Sequence, residues 1–212
     1  MLKINEIYAS IQGESSHTGL PCVFIRLTGC NLRCSWCDTA YAFYAGNDLT
    51  IEETLQKVDT FGLPLVEITG GEPLLQEDVY PLMEALLKKG YRVMLETSGA
   101  LPIDKVPQRV IKILDIKCPG SGEEKKNHLE NLKLLSPHDE VKFVLLDRAD
   151  YEWSRDLLRK YDLAPSTQVL FSPVYDKLNL KDLVQWILAD RLPVRLQTQL
   201  YKVIWNKDTI GV

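Results

Sequence analysis

Three cysteines, Cys30, Cys34 and Cys37, fall within eight residues of one another. The spacing Cys-x3-Cys-x2-Cys puts three thiolates on one compact loop, close enough to hold three corners of a cubic iron-sulfur cluster and leave one iron open. An open iron can bind a small molecule directly, by the same logic that keeps a catalytic zinc site one protein ligand short. Zinc is the alternative occupant, but structural zinc normally pairs two cysteines with a distant second pair, and this sequence has none. Cys22 sits in an apolar run and Cys118 in a later loop, and both read as buried thiols rather than a fourth ligand. His17, His128 and His138 stand without ligand spacing to one another and read as surface or loop histidines.

These cysteines must be held by something rigid. Short apolar runs bounded by turn signals recur at 22–27, 65–69, 92–96, 110–116, 141–146, 168–171 and 194–198, and they read as buried strands. Segments of helical period lie between several of them, at 50–61, 78–89, 150–161 and 180–189, the second closed by Gly90. Alternating strands and helices imply parallel strands joined by right-handed crossovers. About six such units are too few for a full eightfold barrel, so the expectation is an α/β fold, a partial (β/α) barrel of about six parallel strands. Chemistry in such folds gathers at the carboxyl ends of the strands. Three unusual segments stand there in sequence: Thr28-Gly29-Cys30, Thr69-Gly70-Gly71-Glu72-Pro73 and Glu96-Thr97-Ser98-Gly99.

Composition narrows the classes. With 45% hydrophobic and 25% charged residues the chain is ordinary for a globular protein, and its 212 residues read as one domain, 1–212, with no linker. A net charge of -4 argues against a broad nucleic-acid surface. No run approaches the roughly 20 apolar residues of a membrane span, so a cytoplasmic location without membrane contact is expected. Five cysteines in a chain too large to need disulfide staples read as free thiols or metal ligands.

The run CNLRCSWC, with an aromatic residue before its last cysteine, resembles the signature of the radical S-adenosylmethionine superfamily, and Gly70-Gly71-Glu72-Pro73 resembles its GGEP motif. The chain as a whole is similar to the 7-carboxy-7-deazaguanine synthase family. Asn5-Glu6-Ile7-Tyr8-Ala9-Ser10-Ile11-Gln12-Gly13-Glu14 resembles that family's NEIFxSIQGE, and Phe24 to Leu32 its FIRLxGCNL. Trp36-Cys37-Asp38-Thr39 resembles its WCDT, and Glu96-Thr97-Ser98-Gly99 its ETSG. The resemblance implies a carbon–nitrogen lyase that turns 6-carboxy-5,6,7,8-tetrahydropterin into 7-carboxy-7-deazaguanine with loss of ammonia, on the way to queuosine in tRNA or to other deazapurines. It implies a [4Fe-4S] cluster, S-adenosylmethionine and Mg2+ as cofactors, a reducing partner such as flavodoxin, and a homodimer.

Residue by residue, the resemblance makes Cys30, Cys34 and Cys37 the cluster ligands and Thr39 a magnesium ligand, where the hydroxyl alone would read as a helix cap. It assigns substrate contacts to Ile11, Gln12, Gly13, Glu14, Arg26 and Thr69. Arg26 has a planar fork suited to a carboxylate, with a structural ion pair as the alternative, and an amide at Gln12 is suited to a lactam edge. Cofactor contacts fall to Trp36, Cys37, Asp38, Gly71, Glu96 and Ser98. Two weaker matches add Asp115, Ile116 and Lys117, then Ser172, Pro173, Val174 and Tyr175. Gln199-Leu200-Tyr201-Lys202 resembles a QxHK pattern with tyrosine in place of histidine, and Ser15 replaces the glycine of GEG. Two other readings compete: an activating enzyme for a glycyl-radical protein, which shares the cluster and GGEP, and a metal-stapled binding module.

Overall fold

The computed structural model of the protein describes residues 1–206 and 209–212. Nine strands form one sheet in the order β3-β1-β2-β4-β5-β6-β7-β8-β9. Strands β1 (Leu2–Ile11) and β2 (Pro21–Leu27) make an antiparallel pair, and β3 (Asn47–Leu49) adds antiparallel to the outer side of β1. From β2 onward each neighbour is parallel: β4 (Leu65–Gly70), β5 (Arg92–Thr97), β6 (Ile111–Ile116), β7 (Glu140–Leu145), β8 (Gln168–Pro173) and the two-residue β9 (Arg195–Leu196). Six full-length parallel strands are thus present, and the sheet stays open, with β3 and β9 as its edges among the described residues.

Helices α1 (Ile51–Asp59), α2 (Val79–Lys88), α3 (Arg148–Lys160) and α4 (Leu180–Asp190) provide crossovers, and a single turn, α5 (Tyr201–Ile204), lies near the carboxyl terminus. Local sequence fixes their starts. Thr50 accepts from the Glu53 amide at 3.1 Å while the Glu53 carboxylate accepts from the Thr50 amide at 2.8 Å, a reciprocal cap on α1. Asp147 and Asn179 cap α3 and α4 one way, each side chain accepting from first-turn amides. Two strands differ from expectation. The polar-looking amino terminus is β1, whose alternation buries Leu2 and Ile4 and leaves Lys3 exposed. The run at 194–198 pairs as a strand for two residues only; just beyond them the Gln197 side chain donates to the Gly13 carbonyl at 2.9 Å.

The two faces of the parallel sheet differ in chemistry. One face carries Val23, Ile25, Val66, Ile68, Val93, Leu95, Leu114, Val141 and Phe143, packed with the helices into the main core. Alternation puts the intervening residues on the other face. There Cys22, Phe24, Leu65, Met94 and Ile113 form a small second apolar cluster. One step further along the same strands come Arg26, Glu67, Glu96 and Asp115, with Lys142 beside them on β7, so this face turns from apolar to charged toward the strand ends.

Candidate active site

A cavity of about 770 Å³ opens on that charged face, at the carboxyl ends of the strands. After β2 the chain turns at Gly29, whose φ of 97° lies in the region that favours glycine, and enters the cysteine loop. This loop is stitched to the segment after β4: the Glu72 amide donates to the Gly29 carbonyl at 2.8 Å and the Gly71 amide to the Leu27 carbonyl at 3.2 Å. A Cβ on Gly71 would lie 2.2 Å from the Gly29 oxygen and 2.7 Å from the Cys30 Cβ. The close approach that requires glycine here is therefore between two protein loops. Glu72, fully buried, accepts from Thr97 Oγ1, the Ser98 amide and hydroxyl, and the Leu74 amide, tying the β4 and β5 exits together.

Cys30, Cys34 and Cys37 all line the cavity, the first two half-buried and the third exposed. The Cys37 amide donates to the Cys34 carbonyl at 3.2 Å, which closes the turn between them. Burial pushes the Cys30 and Cys34 thiols up, against the pull of the Lys117 charge. Among the described residues no three His, Cys, Asp or Glu side chains gather into a site for a single metal ion. Three free thiols from one short loop, all lining one cavity, are a donor set that fits three corners of an iron-sulfur cluster. Cys22 and Cys118 lie apart from this cavity, both fully buried, with the Cys118 sulfur 3.3 Å from Ser154 Oγ.

Most residues singled out from the sequence meet at this cavity. Ile11, Gln12, Gly13, Glu14, Arg26, Thr39 and Thr69 line it, as do Trp36, Asp38, Gly71, Glu96, Ser98, Asp115, Lys117, Val174 and Tyr175. Ile116 instead points into the main core, because alternation along β6 sends it to the face opposite Asp115 and Lys117, and Ser172 and Pro173 do not line the cavity. Arg26 already has protein partners: its Nε donates to Glu6 at 2.6 Å and its Nη2 to the Tyr8 hydroxyl at 2.9 Å. Thr39 precedes a 3-10 turn, Ala40–Phe43, but makes no side-chain cap bond, and its hydroxyl donates to Asp38 at 3.0 Å. Asp115 is paired to Lys117 at 2.8 Å through Oδ2, while its buried Oδ1 has no partner among the described residues.

The tail segment closes one side. Gln199 Nε2, Tyr201 Oη and Lys202 Nζ all donate to Asp38 Oδ2, at 2.9, 3.1 and 2.9 Å. Burial alone would raise Asp38, but the Lys202 charge and these bonds hold its carboxyl well below the usual carboxylate range. Tyrosine in place of histidine thus keeps a donor at that position. The same tail reaches the loop after β1: Gln199 also donates to Glu14 at 3.1 Å, and the Leu200 amide to the Gly13 carbonyl at 3.2 Å.

Two residues at the cavity floor escaped the sequence reading. Lys142 on β7, 3% exposed, donates to Glu14 at 2.8 Å and Glu96 at 2.7 Å. Burial works against its charge, but the two carboxylates hold its ammonium well above the ordinary range. Glu67 on β4, 2% exposed, accepts from Gln12 Nε2 at 3.1 Å. Burial and then the charge of Glu96 push its carboxyl up from 4.5 to about 8. The available signal was a charged residue inside an otherwise apolar strand run, Leu65-Val66-Glu67-Ile68 and Val141-Lys142-Phe143.

An open parallel sheet with three thiols on the loop after its first parallel strand defines the radical S-adenosylmethionine class, and residues 24–117 match the model of the Radical SAM superfamily. Over its whole length the chain is 49% identical to the whole of 7-carboxy-7-deazaguanine synthase of Koribacter versatilis. It is 46% identical to the enzyme of the same name from Chlorobaculum tepidum, covering all of this chain and 97% of the relative. The crystal structure of QueE from Escherichia coli superposes with a TM-score of 0.77 at 25% identity, over 93% of each chain. The chain belongs to the 7-carboxy-7-deazaguanine synthase family.

Proposed function

We propose that this protein is a radical S-adenosylmethionine lyase that converts 6-carboxy-5,6,7,8-tetrahydropterin to 7-carboxy-7-deazaguanine with loss of ammonia, a step toward queuosine. Full-length similarity to enzymes of that name carries the reading, together with one cavity that joins three free thiols to a charged floor. When bound at Cys30, Cys34 and Cys37, the cluster with S-adenosylmethionine supplies the radical that removes a hydrogen too weakly acidic for a side-chain base. The chain's own groups then bind and orient. Thr39, with its hydroxyl free of capping, is suited to Mg2+, a hard ion that prefers oxygen. Asp115, with an unpartnered buried oxygen, is suited to a hydroxyl or amino donor of the cofactor, next to Lys117. Glu14 and Arg26 stand on the substrate side with Thr69, and Trp36, Val174 and Tyr175 offer apolar contact to the adenosine.

The remaining features of the reading are a homodimer of 212-residue catalytic units, a flavodoxin-like electron donor and a cytoplasmic setting. No helix among the described residues is long and apolar enough to cross a membrane. Anaerobic reconstitution with iron and sulfide, followed by mass spectrometry of the pterin incubated with S-adenosylmethionine, Mg2+ and a reductant, tests the activity. The expected product is the carboxydeazaguanine; an unchanged pterin alongside reductive cleavage of S-adenosylmethionine would overturn the substrate assignment. Alanine at Cys30, Cys34 or Cys37 should abolish both, whereas alanine at Cys22 or Cys118 should keep the cluster's electron paramagnetic resonance signal.

A further inference from the structure

Glu67 is the one carboxylate of the cavity floor left without a cation among the described residues. Lys142 is shared by Glu14 and Glu96, which flank Glu67, and none of the recorded ion pairs reaches Glu67 itself. Among the described residues Gln12 Nε2 is its single hydrogen-bond partner. Burial and the Glu96 charge push the Glu67 carboxyl up by more than the Lys142 charge, from its place between Glu14 and Glu96, pulls it down. The other titratable groups bearing on it, Tyr8 from β1 and Cys22 from β2, bring no positive charge. A buried carboxyl between two anions, with one amide donor and no paired cation, keeps its proton near neutral pH.

Its orientation is set as well. Gln12 Oε1 accepts from the Glu14 amide at 3.0 Å and the Ser15 amide at 3.1 Å, which leaves its Nε2 to face Glu67. That faces the Gln12 amide hydrogens toward Glu67 Oε2 as an acceptor, an arrangement that suits a proton carried on Oε1. Gln12 thereby positions Glu67, and the second hydrogen of its Nε2 is left for the cavity that it lines. A carboxylic acid pinned in this sense offers one acceptor and one donor side by side, facing the cavity that both residues line.

We propose that Glu67 reads the aminopyrimidine edge of the pterin, accepting from the exocyclic 2-amino group through Oε2 and donating from Oε1 to the adjacent unprotonated ring nitrogen, with Gln12 as its positioning residue. This rests on the pterin assignment above and adds to it the group that distinguishes a 2-amino from a 2-oxo ring. In the 2-oxo ring the edge is reversed, an acceptor at C2 beside an N–H donor, and Gln12 keeps the acid from turning to match it. Two mispaired buried groups in the 2-oxo ring should give a preference of about tenfold or more for the pterin.

Anaerobic calorimetry on the reconstituted protein, without S-adenosylmethionine so that nothing turns over, measures this with two ligands, 6-carboxytetrahydropterin and its 2-oxo counterpart, 6-carboxytetrahydrolumazine. Wild type should prefer the pterin by about tenfold or more. Glu67→Leu should bring the two ligands to near parity, whereas Glu67→Gln, whose carboxamide presents the same donor and acceptor, should keep the preference. Equal binding of both ligands by wild type overturns the proposal, whether or not the leucine variant folds. A Glu67→Gln variant that discriminates no better than Glu67→Leu, or a Glu67→Leu variant that discriminates like wild type, also overturns it. If wild type binds no pterin at all, the substrate assignment itself falls, and the inference with it.

Discussion

Two lysines on neighbouring strands, Lys112 on β6 and Lys142 on β7, are both almost completely buried and both paired with carboxylates, yet they do different work. Lys112 Nζ lies 3.0 Å from Asp139 and donates to the Val110 carbonyl, while Asp139 also accepts from the Lys112 and Ser136 amides at 2.8 and 2.7 Å. Charge and hydrogen-bonding capacity are matched within the protein, and neither residue lines the cavity. Around Lys142, one ammonium serves Glu14 and Glu96, Glu67 stands beside them unpaired, and all of them face the cavity. Burial of charge is common to both places. What marks a site is a set of charges that does not balance until a ligand arrives.

The comparison breaks most visibly at Lys112. Lys112→Met strands Asp139 in the core, and chemical denaturation should show a loss of about 3–5 kcal/mol, with turnover per folded molecule unchanged. An effect of similar origin, graded with pH, is expected from Glu67. Its carboxyl is raised in the fold from 4.5 to about 8, so the folded state binds more protons than the unfolded state between those values. Its contribution to stability is therefore full below about pH 4.5 and is lost as pH rises through about 8. Denaturation midpoints across that window should fall with rising pH in wild type and fall less steeply in Glu67→Gln; identical slopes would remove Glu67 as the cause.

Lys142→Met sharpens the contrast from the other side. Glu14 and Glu96 retain side-chain exposures of 24% and 22%, so cavity water can hydrate them and the stability loss should be smaller than at Lys112. Pterin affinity by anaerobic calorimetry should drop about tenfold or more, because three carboxyl groups then meet without a cation. The smallest effect belongs to the rim. Lys202→Met removes one of the three tail donors to Asp38, a residue with a side chain 42% exposed, and should raise KM for the pterin a few-fold with cluster iron content unchanged. A change in cluster content instead would show that the tail supports the cysteine loop directly.

The cysteine loop and the strand-helix alternation were legible in the sequence because those roles demand particular residue types at fixed spacing. The cavity floor was less so. Gln12 was read as a substrate contact from its place in a motif, but which way its amide faces depends on the backbone of Glu14 and Ser15. Glu67 and Lys142 lie inside runs read as buried apolar strands, since nothing local states that one face of the sheet turns from apolar to charged. Arg26 showed a fork suited to a carboxylate, while its Glu6 and Tyr8 partners arise from the antiparallel pairing of β1 and β2, a strand pair that the polar amino terminus concealed.

The bonds from Gln199, Tyr201 and Lys202 to Asp38 span 161 to 164 positions of sequence. In a chain synthesised from its amino terminus, that connection is among the last to form. The loop bearing Cys30, Cys34 and Cys37 emerges early and stays unclasped on the Asp38 side while the rest of the sheet is being made. That side of the loop is therefore fastened only after residues 199–202 have been made, later than the strands that carry the rest of the site.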